Sequence, residues 1–245
     1  MKKYVKALFS SFGYELRRIQ PAASHLRAIG NITSFLQDVK ARGFYPKSVL
    51  DVGASDGSWS RIAKREFPDA SFLLLEPRPY LQNKLENFCR EYPKSHFKMV
   101  AAGAVTGSLR MTDWDTGSTL LSVPANDAPV FDVPIVTCDE LFQADPVPDL
   151  VKLDVEGFEI EVLRGATSLF GKTELFIIEV GMDRYGTARP MAYEVINFMA
   201  SHDYHLYDIP GFIRRPYDGA VGLMDICFAL DDGLLRRNSH KWHQE

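Results

Sequence analysis

Acidic side chains follow four apolar runs of this 245-residue sequence, each at the position where a buried strand would end. They are Asp51, Glu76, the pair Asp154 and Glu156, and Glu179. Because ligands of open parallel sheets bind beyond the carboxyl ends of the strands, we expect these carboxylates to share one sheet edge. Carboxylates are seldom buried without partners, so core packing explains the whole set poorly. For one of the pair Asp154 and Glu156, helix capping stays an alternative.

A glycine turn follows the first of these strands. The apolar run 49–52 leads into Gly53-Ala54-Ser55-Asp56-Gly57, and apolar residues then recur at helical spacing from Trp59. Glycines allow a tight turn and let a ligand lie against the backbone. A helix N-terminus adds unpaired N–H groups and a positive dipole end. The stretch therefore predicts a strand, a turn and a helix that hold a nucleotide-like ligand.

Glu76 supplies the second half of this predicted site. It ends the apolar run 72–75 and lies 23 residues after Gly53, at the tip of the next parallel strand. There its carboxylate can accept hydrogen bonds from both hydroxyls of a ribose. A dinucleotide site would show G-x-G-x-x-G, whereas this chain has Gly53, Ser55 and Gly57. The pattern is typical of a site for S-adenosylmethionine (SAM), which has no pyrophosphate.

The composition is that of an ordinary globular protein, with 46% hydrophobic and 24% charged residues. A net charge of −4 argues against a nucleic-acid partner. Cys89, Cys138 and Cys227 lie far apart and form neither a metal pattern nor a disulfide framework, so they predict a reducing, cytoplasmic location. No apolar run reaches the length of a membrane span, so we expect no integral membrane segment.

Alternating strand and helix patterns organise the chain. They predict an α/β fold with a mostly parallel sheet over residues 46–230, an N-terminal helical extension over 1–45 and a polar tail over 231–245. The alternation stops at 105–135, where glycines and prolines predict an inserted β-rich or looped region.

Three local predictions bear on the site. A single strand is predicted at 96–104 and a single helix at 158–169. Strand patterns at 204–209 and 223–230 are joined by the predicted loop 210–220 with no helix between them, which predicts an antiparallel edge pair.

A longer motif shows which family the chain resembles. Residues 151–166 read Val-Lys-Leu-Asp-Val-Glu-Gly-Phe-Glu-Ile-Glu-Val-Leu-Arg-Gly-Ala, which resembles the signature of the FkbM-type SAM-dependent methyltransferases. The stretches 50–57, Glu76-Pro77 and 117–120 also resemble that family. The resemblance implies a seven-stranded, Rossmann-like class I methyltransferase sheet whose last strand is antiparallel. It also implies O-methylation of a hydroxyl on a sugar, glycan or small metabolite.

The resemblance further implies roles for single residues. Glu76 would hold the ribose hydroxyls, and Asp154 would lie near the methionine amino group or the point of methyl transfer. Ala101 and Ala102 would lie near the adenine. The methionine and ribose side of SAM would be lined by Asp51, Gly53, Ala54, Ser55 and Gly57.

Methyl transfer to such an acceptor benefits from a general base, because a sugar hydroxyl is a poor nucleophile at neutral pH. Asp154 and Glu156 are the candidates, with Lys152 as a third, and an ion-pairing role is the alternative for Lys152. Together with Glu179 and Asp183 the two acids also offer hard oxygen ligands to a divalent metal. The four lack a compact ligand spacing, so we expect no metal.

The acceptor, a small molecule or a glycan, would be recognised by variable loops. Candidate residues are Trp114, Ser118, Glu179, Arg214 and Tyr217. An arginine can bind a phosphate or carboxylate, and an aromatic ring can stack on a sugar face. Solvated loop charges and ordinary packing are the alternatives.

Three other functions compete with methyl transfer. Residues 53–57 also match the G-x-S-x-G nucleophile elbow of serine hydrolases, but helical sequence precedes this first strand and no His-Gly-Gly motif accompanies it. Ser55 at the middle glycine position disfavours a nicotinamide oxidoreductase. A non-catalytic SAM-fold module that binds a glycan or a protein is the main alternative, and the intact glycines, Glu76 and Asp154 argue against it.

Overall fold

The computed structural model describes residues 29–112, 130–183 and 190–237. The central sheet has seven strands in the order β3-β2-β1-β7-β8-β10-β9. In chain order the strands of the described residues are β1 (Ser48–Val52), β2 (Ser71–Leu75), β3 (Ser95–Lys98), β4 (Ala101–Ala102), β5 (Gly107–Thr112), β6 (Val130–Val136), β7 (Leu150–Leu153), β8 (Leu175–Gly181), β9 (Tyr204–Arg214) and β10 (Val221–Leu230).

All neighbours in the central sheet are parallel except the two pairs that β10 makes with β8 and β9. The predicted fold class, a Rossmann-like sheet with an antiparallel last strand, is therefore confirmed. The chain runs outward from β1 through β2 to β3, then returns to place β7 on the other side of β1. This reversal creates the crevice in which such sheets bind ligands.

Helices cover both faces of the sheet. They are α1 (Ile32–Ala41), α2 (Ser58–Glu66), α3 (Gln82–Glu91), α4 (Cys138–Leu141), α5 (Glu159–Arg164) and α6 (Ala192–Ala200). Phe35 of α1 and Phe88 of α3 belong to the apolar cluster on one face, and Val162 of α5 and Val195 of α6 to the cluster on the other. The helix predicted at 158–169 is shorter than expected, because a 3₁₀ turn at Thr167–Leu169 replaces its second half.

The predicted insertion forms a second sheet of three strands, in the order β4-β6-β5. The prediction of one strand over 96–104 is wrong, because the chain leaves the central sheet after β3 and enters the small sheet at β4. Ala101 and Ala102 there pair in parallel with Ile135 and Val136 of β6. The small sheet consequently lies beside the carboxyl end of the central sheet.

The edge strand β9 is longer than predicted, because it continues through Pro210 and Gly211 to Arg214. Proline lacks a backbone N–H, and an edge strand tolerates it because one side of the ladder needs no donor. The predicted antiparallel pairing of the last two strands is confirmed, although only β9 lies at the edge. In the described segments, no helix has both the length and the apolar character that crossing a bilayer demands.

Candidate active site

A cavity of about 360 Å³ opens at the carboxyl ends of β1, β2 and β7, beside the small sheet. The predicted cofactor residues that line it are Gly53, Ser55, Glu76, Ala101, Ala102 and Asp154. Asp51, Ala54 and Gly57, which were also predicted to line the cofactor, are buried and do not belong to this lining. One cavity thus unites the glycine turn after β1 with the acidic ends of β2 and β7, the two strands that flank β1.

The glycine turn is wedged between the ends of β2 and β7. The backbone N–H groups of Gly53 and Ala54 both donate to the carbonyl of Leu75, at 2.9 and 3.0 Å. Gly53 has a φ of +79°, and a Cβ placed on it would lie 1.8 Å from the carbonyl oxygen of Asp154. No other residue type fits there, so the glycine is what allows β1, β2 and β7 to converge on the cavity.

Glu76 lies at the end of β2 and is almost completely buried. Its Oε2 accepts the backbone N–H of Ser55 at 2.8 Å and Nη2 of Arg78 at 3.2 Å. Its Oε1 accepts the backbone N–H and Nε of Arg78, at 3.0 and 2.7 Å. Four N–H groups therefore hold the carboxylate, two from the backbone and two from the guanidinium of Arg78, which also lines the cavity.

Two non-glycine residues of the lining adopt left-handed backbone conformations. Ser55 has a φ of 51° and Glu156 a φ of 54°, and the third such residue of the described chain, Asp203, lies elsewhere. Side chains other than glycine rarely adopt this region, and such strain concentrates at binding and catalytic sites. The strained backbone of Ser55 and Glu156, at the two ends of the cavity, is therefore typical of a binding or catalytic site.

Lys152 is buried on β7 with only 3% of its side chain exposed. Its Nζ lies 3.0 Å from Oδ1 of Asp225 and 3.3 Å from Oδ2 of Asp154. Burial lowers the pKa of Lys152, but the negative charges of Asp154 and Asp225 outweigh it and hold this pKa above its ordinary value. Lys152 is therefore a fixed cation, which fits the ion-pairing alternative and leaves the base role to the acids.

Asp51 faces the helix α2, and its Oδ2 accepts the hydroxyl of Ser60 at 2.6 Å. Burial raises the pKa of Asp51 to about 7, even though the hydrogen bond from Ser60 and the charge of Lys152 both lower it. Asp51 therefore shapes the turn from behind as a buried, hydrogen-bonded carboxyl.

Glu179 brings a third acid to the end of β7. Carboxylate oxygens of Asp154, Glu156 and Glu179 all lie within 4.8 Å of one another. Burial, followed by the negative charge of Asp154, raises the pKa of Glu179 to about 8. The predicted convergence of these acids is confirmed, and the fold gives them the compact spacing that the linear sequence lacks. The fourth acid considered as a ligand, Asp183, instead pairs with Arg215.

The predicted acceptor residues are only partly brought together. Trp114 and Ser118 lie outside the described residues. Arg214 is exposed at the end of β9, where its Nη1 donates to the carbonyl of Gly219 at 2.9 Å, and Tyr217 is 96% exposed. Neither of these two belongs to the lining of the cavity.

Several lining residues escaped the sequence analysis. Arg78, Tyr80 and Lys84 come from the segment after Glu76, and Met111 comes from the small sheet. The signal for Arg78 was its position two residues after the ribose-binding candidate. Met111 had no comparable signal, because its place depends on how the small sheet folds over the cavity.

Comparison with protein families supports the same reading of the chain. A family model described as the methyltransferase FkbM domain matches residues 51–206, from the strand before the glycine turn to the start of β9. The search of curated proteins found no relative of this chain.

Among solved structures, the chain is similar to the O-methyltransferase TomG of Streptomyces achromogenes in complex with SAM, at 10% identity and a TM-score of 0.49, covering 93% of this chain and 88% of that one. It is similar to precorrin-6y C5,15-methyltransferase of Geobacter metallireducens, at 11% identity and a TM-score of 0.46, covering 80% of this chain and 86% of that one. It is also similar to Aeropyrum pernix fibrillarin with natively bound SAM, at 12% identity and a TM-score of 0.47, covering 78% of this chain and 74% of that one.

Proposed function

The chain belongs to the FkbM family of SAM-dependent methyltransferases, and from this premise we propose that it is an O-methyltransferase acting on a hydroxyl of a sugar, glycan or small metabolite. The observation that carries the proposal is the cavity itself. A buried carboxylate lies at its β2 end, and two further acids lie at its β7 end.

The residues present fit the cofactor in size and charge. Gly53 lets the backbone after β1 pack directly against the carbonyl of Asp154, which brings the glycine turn and the end of β7 to the same cavity wall. The small, buried side chains of Ala101 and Ala102 leave a flat apolar wall that suits an adenine. Glu76 would accept the ribose hydroxyls in the two directions that the guanidinium of Arg78 fills.

We assign the two acids at the other end different tasks. Asp154 is held by the ammonium of Lys152 and keeps 36% of its side chain exposed, so it suits the amino group of the methionine part. Glu156 sits on strained backbone at the same wall, where it can face an acceptor hydroxyl. Within the catalytic set predicted from sequence, Asp154 and Lys152 then bind and position, and Glu156 acts as the base.

Bound SAM supplies a methyl group that its sulfonium already activates, so most of the catalysis is in-line positioning of the acceptor. As the oxygen–methyl bond forms, Glu156 would take the hydroxyl proton. A positioned base of this kind contributes about 10²- to 10⁴-fold to a rate. The neighbouring Glu179 would help to hold the acceptor from the same side.

Transfer of a labelled methyl group to a panel of hydroxylated sugars and metabolites tests this proposal. We expect Glu156→Gln to lower the turnover rate at least about 100-fold while SAM still binds. Asp145→Asn, in an exposed loop before β7, is the matched control and should leave turnover unchanged. Full activity of Glu156→Gln would refute the assignment of the base. SAM binding without transfer to any acceptor would favour the non-catalytic module instead.

A further inference from the structure

The buried ammonium of Lys152 has ion-pair partners on two different strands. A buried ammonium is costly unless it is paired and fully hydrogen-bonded. If Asp154 were its only ion-pair partner, the pair would be neutral, and Asp154 would attract a cationic amino group less strongly. The structure instead gives Lys152 a second carboxylate, from a strand that β8 separates from β7.

That carboxylate belongs to Asp225 on β10. Oδ1 of Asp225 is the nearer partner of the ammonium, at 3.0 Å against 3.3 Å for Asp154. Asp225 lies opposite Glu179 of β8 in the antiparallel ladder, which places both on the face of the sheet that carries Lys152. It also lies beyond residue 206, where the family match ends.

The β9–β10 hairpin fixes the position of the Asp225 side chain. Gly211 of β9 lies directly opposite Asp225, and a Cβ on Gly211 would lie 2.2 Å from Oδ2 of Asp225. The ladder is irregular immediately after Asp225, between it and Cys227. Bulges of this kind re-aim side chains near functional sites. Any larger residue at position 211 would push the carboxylate off its place.

We propose that Asp225 is a positioning residue of the active site, which holds the ammonium of Lys152 and so leaves the charge of Asp154 available to the amino group of the cofactor. This rests on the proposed function, in which Asp154 meets that amino group. Asp225 itself does not belong to the lining of the cavity. It acts through Lys152, whose single positive charge would otherwise neutralise Asp154.

The proposal predicts a loss that depends on the ligand. S-Adenosylhomocysteine carries the amino group, whereas 5′-methylthioadenosine has the same nucleoside and sulfur without it. In Asp225→Asn, Lys152 loses its nearer ion-pair partner and pairs more strongly with Asp154. We expect the affinity for S-adenosylhomocysteine to fall about tenfold, the worth of one charge-assisted hydrogen bond. The affinity for 5′-methylthioadenosine should stay within about twofold, because that ligand does not reach Asp154.

The experiment is calorimetric titration of both ligands into the full-length protein and its variants. Gly211→Ala keeps the charge of Asp225 but displaces it, and should show the same selective loss. It also serves as the test if Asp225→Asn does not fold. Asp231→Asn, just beyond the other end of β10, removes the same charge far from the cavity and should change neither affinity.

The outcomes separate the two proposals. Selective loss of S-adenosylhomocysteine binding in Asp225→Asn and Gly211→Ala supports the positioning role. Equal losses for both ligands, or no loss, would overturn it and leave the proposed function intact. If the wild-type protein binds neither ligand, the proposed function itself fails.

Discussion

Replacing Glu76 by glutamine perturbs the ribose end of the cavity with little change of shape. In the wild type, the two carboxylate oxygens accept two N–H groups each, from the backbone of Ser55 and from the backbone and guanidinium of Arg78. A glutamine amide offers one oxygen and one NH₂ group. Two of the four donors therefore lose their acceptor, whichever way the amide points.

The first expected effect of Glu76→Gln is a loss of folding stability. Breaking a buried ion pair by removing one partner costs about 3–5 kcal/mol. The side chain of Arg78 is 13% exposed and lines the cavity, so it can turn towards solvent and recover part of this cost. We therefore expect the free energy of unfolding of Glu76→Gln to drop by about 3 kcal/mol, the lower end of that range.

Cofactor affinity falls as well. Hydrogen bonds from two ribose hydroxyls to a charged acceptor are worth about 1.5–3 kcal/mol each, and glutamine can replace one of them. In the wild type, the ribose hydroxyls must first displace the guanidinium of Arg78 from Glu76, which already reduces the free energy gained on binding. The net loss should be about 2 kcal/mol, or some thirtyfold in Kd.

Urea unfolding and calorimetric titration with S-adenosylhomocysteine measure the two effects separately. Glu86→Gln is the matched control, because Glu86 lies on α3 outside the cavity lining, where its Oε1 accepts Nε2 of Gln82 at 2.8 Å. It should change neither quantity. An affinity of Glu76→Gln within twofold of wild type would refute the placement of the ribose at Glu76.

Two further predictions concern the turn and its support. Gly53→Ala should destabilise the fold by several kcal/mol and abolish S-adenosylhomocysteine binding, because its Cβ would overlap the Asp154 carbonyl; unchanged thermal unfolding would contradict this. Burial raises the pKa of Asp51 from 3.8 to about 7, so between these pH values the folded protein retains a proton that the unfolded chain has released. Stability should therefore fall as pH rises through this window, by up to about 4 kcal/mol from Asp51, and Asp51→Asn should remove that part of the slope. Urea unfolding at several pH values measures it, and parallel curves for wild type and variant would count against the buried, protonated Asp51.

The convergence of the glycine turn, Glu76 and Asp154 on one cavity could be predicted from sequence because its signals are local. Gly53 marks the tight turn after β1, and Glu76 follows it by one strand–helix–strand unit of standard length. The sheet order then brings Asp154 to the same edge, as the alternating pattern predicts.

The features that the sequence did not predict depend on contacts between distant parts of the chain. The pairing of Lys152 with Asp225 is set by the register of β10 on β8, which no local pattern encodes. Pro210 and Gly211 predicted a loop because each disfavours a strand interior, yet an edge position tolerates the proline and Asp225 requires the glycine. The division of 96–104 likewise follows from the partner that β4 finds in β6.

The most direct test of the account is calorimetric titration of the full-length protein with S-adenosylhomocysteine, with NAD as the control ligand and a chelator-treated sample in parallel. The account predicts micromolar binding of S-adenosylhomocysteine with or without chelator, and no binding of NAD. Absence of S-adenosylhomocysteine binding by the folded protein would contradict it.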